Sequence, residues 1–197
     1  MGQPPRVAVI GAGAAGLATL KALADAGVPA VAFEATDTVG GLWVHGAPDS
    51  PAYRTLHLNT SRTRTQFADH PMPADWPDYP DHTRVAGYLR DYAHRFGLLD
   101  AVRLRHTVVG VTRGPDDRWT VRTTGPHGTS DVTVAAVVVA NGHNRVPRPP
   151  APPPAGDCTA EQLHSHAYRG PEQLAGRRVL VVGGGNSAMD IAVDASH

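Results

Sequence analysis

The 197-residue chain has one cysteine, Cys158, one lysine, Lys21, and a formal net charge of zero. A lone cysteine excludes an internal disulfide and any C-x-x-C dithiol, and a reducing, cytoplasmic setting is expected. Cys158 lacks strongly cationic neighbours in sequence, so it reads as a packed or surface thiol and not a reactive one. Arg is scattered and balanced by Asp and Glu, which leaves no basic patch for a nucleic acid. The longest apolar run, Val134–Ala140, is far too short to span a bilayer. The start, Met-Gly-Gln-Pro-Pro-Arg, has no secretory character, and Arg6 argues against N-myristoylation.

Several site patterns are also missing. No H-x-x-x-H or H-E-x-x-H spacing occurs, and His164 and His166 have no acid or cysteine cluster beside them, so no metal site is expected. Asp75, Asp78 and Asp81 lie among prolines and read as solvated loop charges. There is no G-x-S-x-G nucleophile elbow. Hydrolytic and dithiol chemistries therefore have no carrier in this chain.

What the chain does have is two glycine-rich turns. Gly11-Ala12-Gly13-Ala14-Ala15-Gly16 follows the apolar run Val7–Ile10, and Gly183-Gly184-Gly185-Asn186-Ser187-Ala188 follows Val179–Val182. Each reads as a parallel strand passing through a tight turn into a helix, the phosphate-binding element of a dinucleotide fold. In the first, Gly11 permits the turn, Gly13 lets backbone approach a pyrophosphate, and Gly16 lets the helix pack on the strand. Glu34 stands eighteen residues beyond Gly16, where its carboxylate can accept from a ribose hydroxyl. Gly40-Gly41-Leu42-Trp43 follows, with paired glycines that allow close backbone approach to a ligand. The second turn has no Lys-Ser/Thr, which excludes a triphosphate-binding loop.

The fold class expected is α/β. Residues 6–35 form a βαβ unit with a helix from Ala14 to Ala26, stopped by Gly27, and a second strand over Val28–Glu34. Ala47–Pro80 is a long irregular stretch. Asp81 or Thr83 caps a helix running to Phe96, with Val85, Leu89, Tyr92 and Phe96 on one face. Thr107–Thr112, Arg118–Thr124 and Ser130–Thr133 alternate and read as an antiparallel meander inserted in the α/β domain. Ala135–Ala140 returns to the parallel sheet, and the proline-rich run Val146–Pro154 reads as a stiff linker.

From Gly11 through Trp43 the chain resembles the extended FAD fingerprint of the class B flavin monooxygenases, and the likeness continues. Tyr53-Arg-Thr-Leu-His-Leu-Asn59-Thr-Ser61 is similar to a family segment, as are Phe67–Pro73 and Tyr88–Phe96. Val137–His143 resembles the strand and turn that link the two dinucleotide domains. The family's identifying motif, Phe-x-Gly-x-x-x-His-x-x-x-Tyr/Phe, is matched by His164 and Tyr168, while Cys158 and Ala160 replace its Phe and Gly. The phrase Gly183–Ala192 is similar to the family's NADPH-binding start, although basic residues that would clasp a 2′-phosphate do not follow it.

The resemblance implies a Rossmann-like FAD-binding domain at residues 1–146, a linker carrying the motif at 147–175, and the start of an NAD(P)H-binding domain at 176–197. It implies FAD at Gly11, Gly13, Ala14, Ala15, Gly16, Glu34, Gly40, Gly41, Leu42 and Trp43. It implies NADPH at Gly183, Gly185, Asn186, Ser187 and Ala188, and it places Asn59 as the catalytic side chain near the reactive edge of the flavin. NADPH would reduce FAD, and a C4a-hydroperoxyflavin formed with dioxygen would oxygenate an amine or sulfide. Tyr168 favours these substrates over a carbonyl, because Baeyer–Villiger relatives carry Trp there. Only nine residues follow Ala188. The chain alone is therefore expected to bind FAD weakly or not at all, to turn over no substrate, and to depend on a C-terminal half. Alternatives are a non-catalytic FAD-binding subunit needing a second chain, or another two-dinucleotide flavin oxidoreductase. A disulfide reductase of that class fails for want of a dithiol.

Overall fold

A computed structural model of the chain describes residues 7–152 and 155–196; Arg6 and the residues before it, the last two prolines of the Val146–Pro154 run, and His197 lie outside the described residues. In chain order the elements are β1 (Val7–Ile10), α1 (Ala14–Asp25), β2 (Ala30–Phe33), α2 (Arg62–Thr65), α3 (His82–Arg95), β3 (Val102–Arg103), β4 (Thr107–Arg113), β5 (Trp119–Gly125), β6 (Gly128–Val134), β7 (Ala136–Val139) and α4 (Asn186–Asp194). They fall into two compact units. Residues up to Gly41 group with Val85–Gly142, and Leu42–Arg84 group with residues from His143 onward. The irregular stretch after Trp43 thus groups with the C-terminal residues, although the sequence reading placed it within a 1–146 domain.

The first unit holds a four-stranded parallel sheet in the order β3-β2-β1-β7. Val7 pairs with Ala30 on one side and Ala136 on the other, and the register runs to Ile10 opposite Phe33 and Val139. The run VAVI of β1 is apolar at every position, which suits a central strand of a parallel sheet, whereas AVVV of β7 lies at the sheet edge with Ala136 and Val139 exposed. Strands β4, β5 and β6 form the expected antiparallel meander. Val121 and Val134 from the meander join Ala8, Val31 and Phe33 from the sheet in one buried cluster, with Val108, Val111, Trp119, Val132 and Val137 around it. Strand β5 alternates accordingly, with Val121 and Thr123 buried and Arg122 and Thr124 exposed. Buried Thr123 hydrogen-bonds Ser130 on β6, so its hydroxyl is not left unpaired.

Strand β2 starts at Ala30, two residues after the expected Val28, for a local reason. Gly27 is left-handed at φ +65°, its N–H reaches Ala24 O at 3.0 Å, and Val28 N–H reaches Leu23 O at 2.8 Å. This pattern caps the helix and takes Val28 out of the strand. Helix α3 starts after Asp81, whose Oδ1 accepts from Arg84 N–H at 3.0 Å, and buries Val85, Tyr88, Leu89 and Tyr92. Strand β3 went unpredicted because two residues carry no readable period.

The second unit has little regular structure. Its segment from Leu42 to Arg84 contains the short helix α2, the rest of a turn that begins at Gly41 and the first residues of α3. Leu58 N–H to Pro80 O at 3.0 Å and His82 N–H to Leu56 O at 2.9 Å tie the middle of this segment to its end. One sequence expectation fails here. Val179–Val182 precedes α4 as predicted but forms no strand, and Leu180 and Val182 are 87% and 79% exposed. A strand exists only through a neighbour's N–H and C=O groups, and this run has no ladder partner among the described residues. Among the described residues no helix is long and apolar enough to cross a membrane.

Burial predicts opposite outcomes for two apolar truncations. Phe33→Ala, at a site 1% exposed, should cost roughly 3–5 kcal/mol in urea unfolding. Leu180→Ala should stay within about 0.5 kcal/mol of wild type.

Candidate cofactor site

The first glycine turn is shaped by close approaches that leave no room for side chains. Gly11 sits at φ +97°, and a Cβ there would lie 2.6 Å from Ala140 O; one on Gly16 would lie 2.0 Å from Gly11 O. Backbone hydrogen bonds carry the turn between strands: Gly11 N–H donates to Phe33 O at 2.8 Å and Ala140 N–H to Ile10 O at 2.9 Å. Gly41, left-handed at φ +59°, faces Gly13 so closely that an added Cβ would be 2.9 Å from Gly13 Cα. Gly40 N–H donates to Ala12 O at 3.1 Å. The two glycine clusters of the sequence thus meet as one backbone-lined cradle.

Glu34 locks that cradle. Its carboxylate is 7% exposed, and Oε2 accepts from Ala12 N–H at 2.8 Å while Oε1 accepts from the Thr36 N–H and hydroxyl, both at 2.9 Å. A buried carboxylate needs such donors, and an ionised one has about four acceptor positions, so one remains on Oε2 after these three bonds. Sequence reasoning gave Glu34 a ribose and missed its bond to Ala12. Helix α1 begins at N-cap Gly13 with no side-chain cap and no acid in its first turn, and Ala14 and Ala15 are exposed. Its first N–H groups are therefore available to an anion. Among the residues assigned to FAD, Gly11, Gly13, Ala14, Ala15, Gly16, Glu34, Gly40 and Gly41 all belong to the first unit. Leu42 and Trp43 continue the single 3₁₀ turn that starts at Gly41, and Leu42 O accepts from the Ser50 hydroxyl at 3.0 Å. Asn59 belongs to the second unit, exposed on a bend before α2.

The second turn has none of these constraints. Gly183 is at φ +144°, but Gly184 and Gly185 face open space. Gly185 caps α4, accepting from Ala188 and Met189 N–H at 3.0 and 3.2 Å, and Asn186 and Ser187 are exposed. What holds α4 is Ile191, packed with Tyr53 and Tyr168, together with a set of polar contacts. Tyr168 is fully buried, its ring 5.5 Å from that of Tyr53, and its hydroxyl donates to Asp194 Oδ2 at 2.7 Å. Thr55 donates to the same oxygen at 2.5 Å, and the Tyr53 hydroxyl donates to Asp190. His164, the other matched motif residue, is exposed and accepts from His166 N–H at 3.0 Å, capping the turn Ser165–Ala167. Thr55, Asp190 and Asp194 carried no signal in the sequence beyond an acidic pair at i, i+4. Among the described residues no group of three His, Cys, Asp or Glu could hold a metal.

A family model for flavin-binding monooxygenase-like proteins matches residues 4–197. The chain belongs to that family. Flavin-containing monooxygenase 5 of Oryctolagus cuniculus is 38% identical over 98% of this chain, which spans 38% of that relative's length. Among solved structures, the S-allyl-L-cysteine S-oxygenase of Allium sativum superposes with a TM-score of 0.88 at 31% identity, over 98% of this chain and 49% of its own. A steroid monooxygenase bound to NADP gives a TM-score of 0.62 at 27% identity, over 72% of this chain and 26% of its own. The parallel sheet and meander of this flavin-binding monooxygenase-like chain are thus the architecture of the N-terminal part of those neighbours.

The tyrosine pair generates a pH prediction. Burial first, then hydrogen bonds to and charges on Asp190 and Asp194, push the Tyr53 phenol well above the ordinary tyrosine value, and burial and Asp194 do the same for Tyr168. A raised folded value means their contribution is whole below the unfolded value of 10.0 and is lost as pH rises past it. The urea midpoint should therefore fall steadily above pH about 10. Tyr53→Phe/Tyr168→Phe should be less stable at neutral pH and fall less steeply above pH about 10 than wild type, the other three tyrosines being common to both proteins.

Proposed function

We propose that this protein carries the FAD-binding element and the first NADPH-binding element of a flavin-dependent monooxygenase that oxygenates an amine or sulfide. The observation that carries the reading is the Glu34 carboxylate holding Ala12 N–H beneath the paired backbones of Gly13 and Gly41. A cradle in which a Cβ added at Gly11, Gly16 or Gly41 would collide suits a pyrophosphate lying against bare backbone. The uncapped N-terminus of α1 supplies donors and partial positive charge for the phosphates. The remaining acceptor position of Glu34 takes a ribose hydroxyl. When bound, the flavin supplies the redox and dioxygen chemistry, and the chain's work is to hold and orient. Asn59 carries both a donor and an acceptor on an exposed side chain, which agrees with the role its family segment gives it beside the flavin.

NADPH is assigned to Gly183, Gly185, Asn186, Ser187 and Ala188, a helix start with no side-chain cap. The steroid monooxygenase neighbour bound to NADP supports that choice. A sulfur or nitrogen substrate is supported by likeness to an S-oxygenase and, at 37% identity, to an N-oxide-forming dimethylaniline monooxygenase of Oryctolagus cuniculus. An exposed, unpaired Cys158 fits a reducing cytoplasm. A second reading, a FAD-binding subunit that works with another chain, is favoured by the exposed apolar side chains of Leu180 and Val182.

The test is titration of the purified chain with FAD, followed by flavin fluorescence, with NADPH oxidation recorded alongside. Weak saturable binding is expected, and Glu34→Ala should weaken it about tenfold by freeing the turn and removing a ribose acceptor. Unchanged affinity in a folded Glu34→Ala variant would overturn the assignment of the cradle. A bright yellow chain that consumes NADPH would reject the subunit reading.

A further inference from the structure

We propose that Tyr53, Thr55 and Tyr168 form with Asp190 and Asp194 a hydroxyl–carboxylate clasp that aims helix α4, and that these five are positioning residues for the dinucleotide at the Gly183–Ala188 turn. The second half of the proposal rests on the reading that this turn takes NADPH. Helix α4 has nine residues and buries only Ile191, while Met189 and Val193 are each 58% exposed. Its one buried apolar side chain, Ile191, packs with Tyr53 and Tyr168, a single anchor that leaves the helix direction to the Asp190 and Asp194 contacts, and the run before it joins no sheet among the described residues. Asp190 and Asp194 lie one helical turn apart, on one face. Asp194 is the last residue of the helix, where the macrodipole disfavours a negative charge. A carboxylate placed there without a partner would loosen the helix.

The partners come from two other segments. Each hydroxyl has one proton to give, and ionised carboxylates only accept, so Tyr53, Thr55 and Tyr168 all act as donors in charge-assisted bonds. The donors are themselves fixed. Tyr168 is fully buried against the Tyr53 ring, Arg54 N–H donates to Arg169 O at 2.8 Å, and the Arg54 guanidinium pairs with Glu172 at 2.8 Å. The family-motif tyrosine therefore reaches the second glycine turn through the far end of its helix and without touching the turn itself.

Amide hydrogen exchange on the whole chain tests the clasp without any cofactor. In Tyr168→Phe and in Asp194→Ala, exchange across α4 should quicken about tenfold, while β1 and β2 exchange as in wild type. The double variant should be no faster than Asp194→Ala alone, because that change already removes the Tyr168 bond together with the Thr55 bond. Additive acceleration, or α4 exchange at the wild-type rate, would overturn the clasp. Should Tyr168→Phe fail to fold, Thr55→Val makes the same test on the other donor to Asp194. NADPH titration of the same proteins tests the consequence: affinity should fall by a similar factor with FAD affinity unchanged. Equal NADPH affinity with a loosened α4, or a wild-type chain that binds none, overturns the link to the dinucleotide, and the exchange data then decide the clasp by themselves.

Discussion

One carboxylate organises the first unit. Glu34 is buried at the end of β2, and the charge it takes out of water obliges the chain to supply hydrogen-bond donors nearby. Ala12 N–H comes from the glycine turn and the two Thr36 donors from the loop after β2, so one side chain fastens three stretches of backbone. The approach of Gly41 to Gly13 and the bond from Gly40 to Ala12 depend on that fastening. A ligand arriving at this cradle meets donors whose positions are already set, and little ordering remains to be done on binding.

The second glycine turn is built on a different principle. The first is wedged between strands and lined by close backbone contacts, while the second stands on a short helix held by three hydroxyls. Similar glycine patterns therefore mark structures of very different rigidity. A buried sheet fixes a turn from below through its whole ladder, whereas a hydroxyl–carboxylate contact fixes it through a few side chains at the opposite end of the helix. The match to the flavin-binding monooxygenase-like family spans both turns.

Much of this was legible in the sequence, and the failures have identifiable causes. The strand at Val7–Ile10, the helix over Ala14–Asp25 and the three meander strands declare themselves by period. Asp81 as a cap and Gly27 as a stop follow from local backbone chemistry. Val28 reads as strand because it is β-branched, yet the helix cap uses its N–H. Val179–Val182 reads as strand because it is apolar, but apolarity states what a segment would bury and not whether a neighbour is there to pair with it. Asp190 and Asp194 look like the solvated face of an amphipathic helix, since nothing in their spacing shows that buried hydroxyls converge on them. Glu34 is the mixed case: the residue was found, and its structural work on Ala12 was hidden behind its expected ligand.

The exposed run Val179–Val182 has a consequence for how this molecule behaves in solution. Of its four apolar residues Val179, Leu180 and Val182 are exposed while Val181 packs against the Tyr53, Tyr168 and Ile191 cluster, and the run has no ladder partner among the described residues. Such a segment is a template for strand addition by another copy of itself, and neither charge nor proline interrupts it. Strand addition through this run would make protein concentration a variable of folding, because the same four residues lead into the second glycine turn. Colloidal behaviour and cofactor binding share a stretch of backbone.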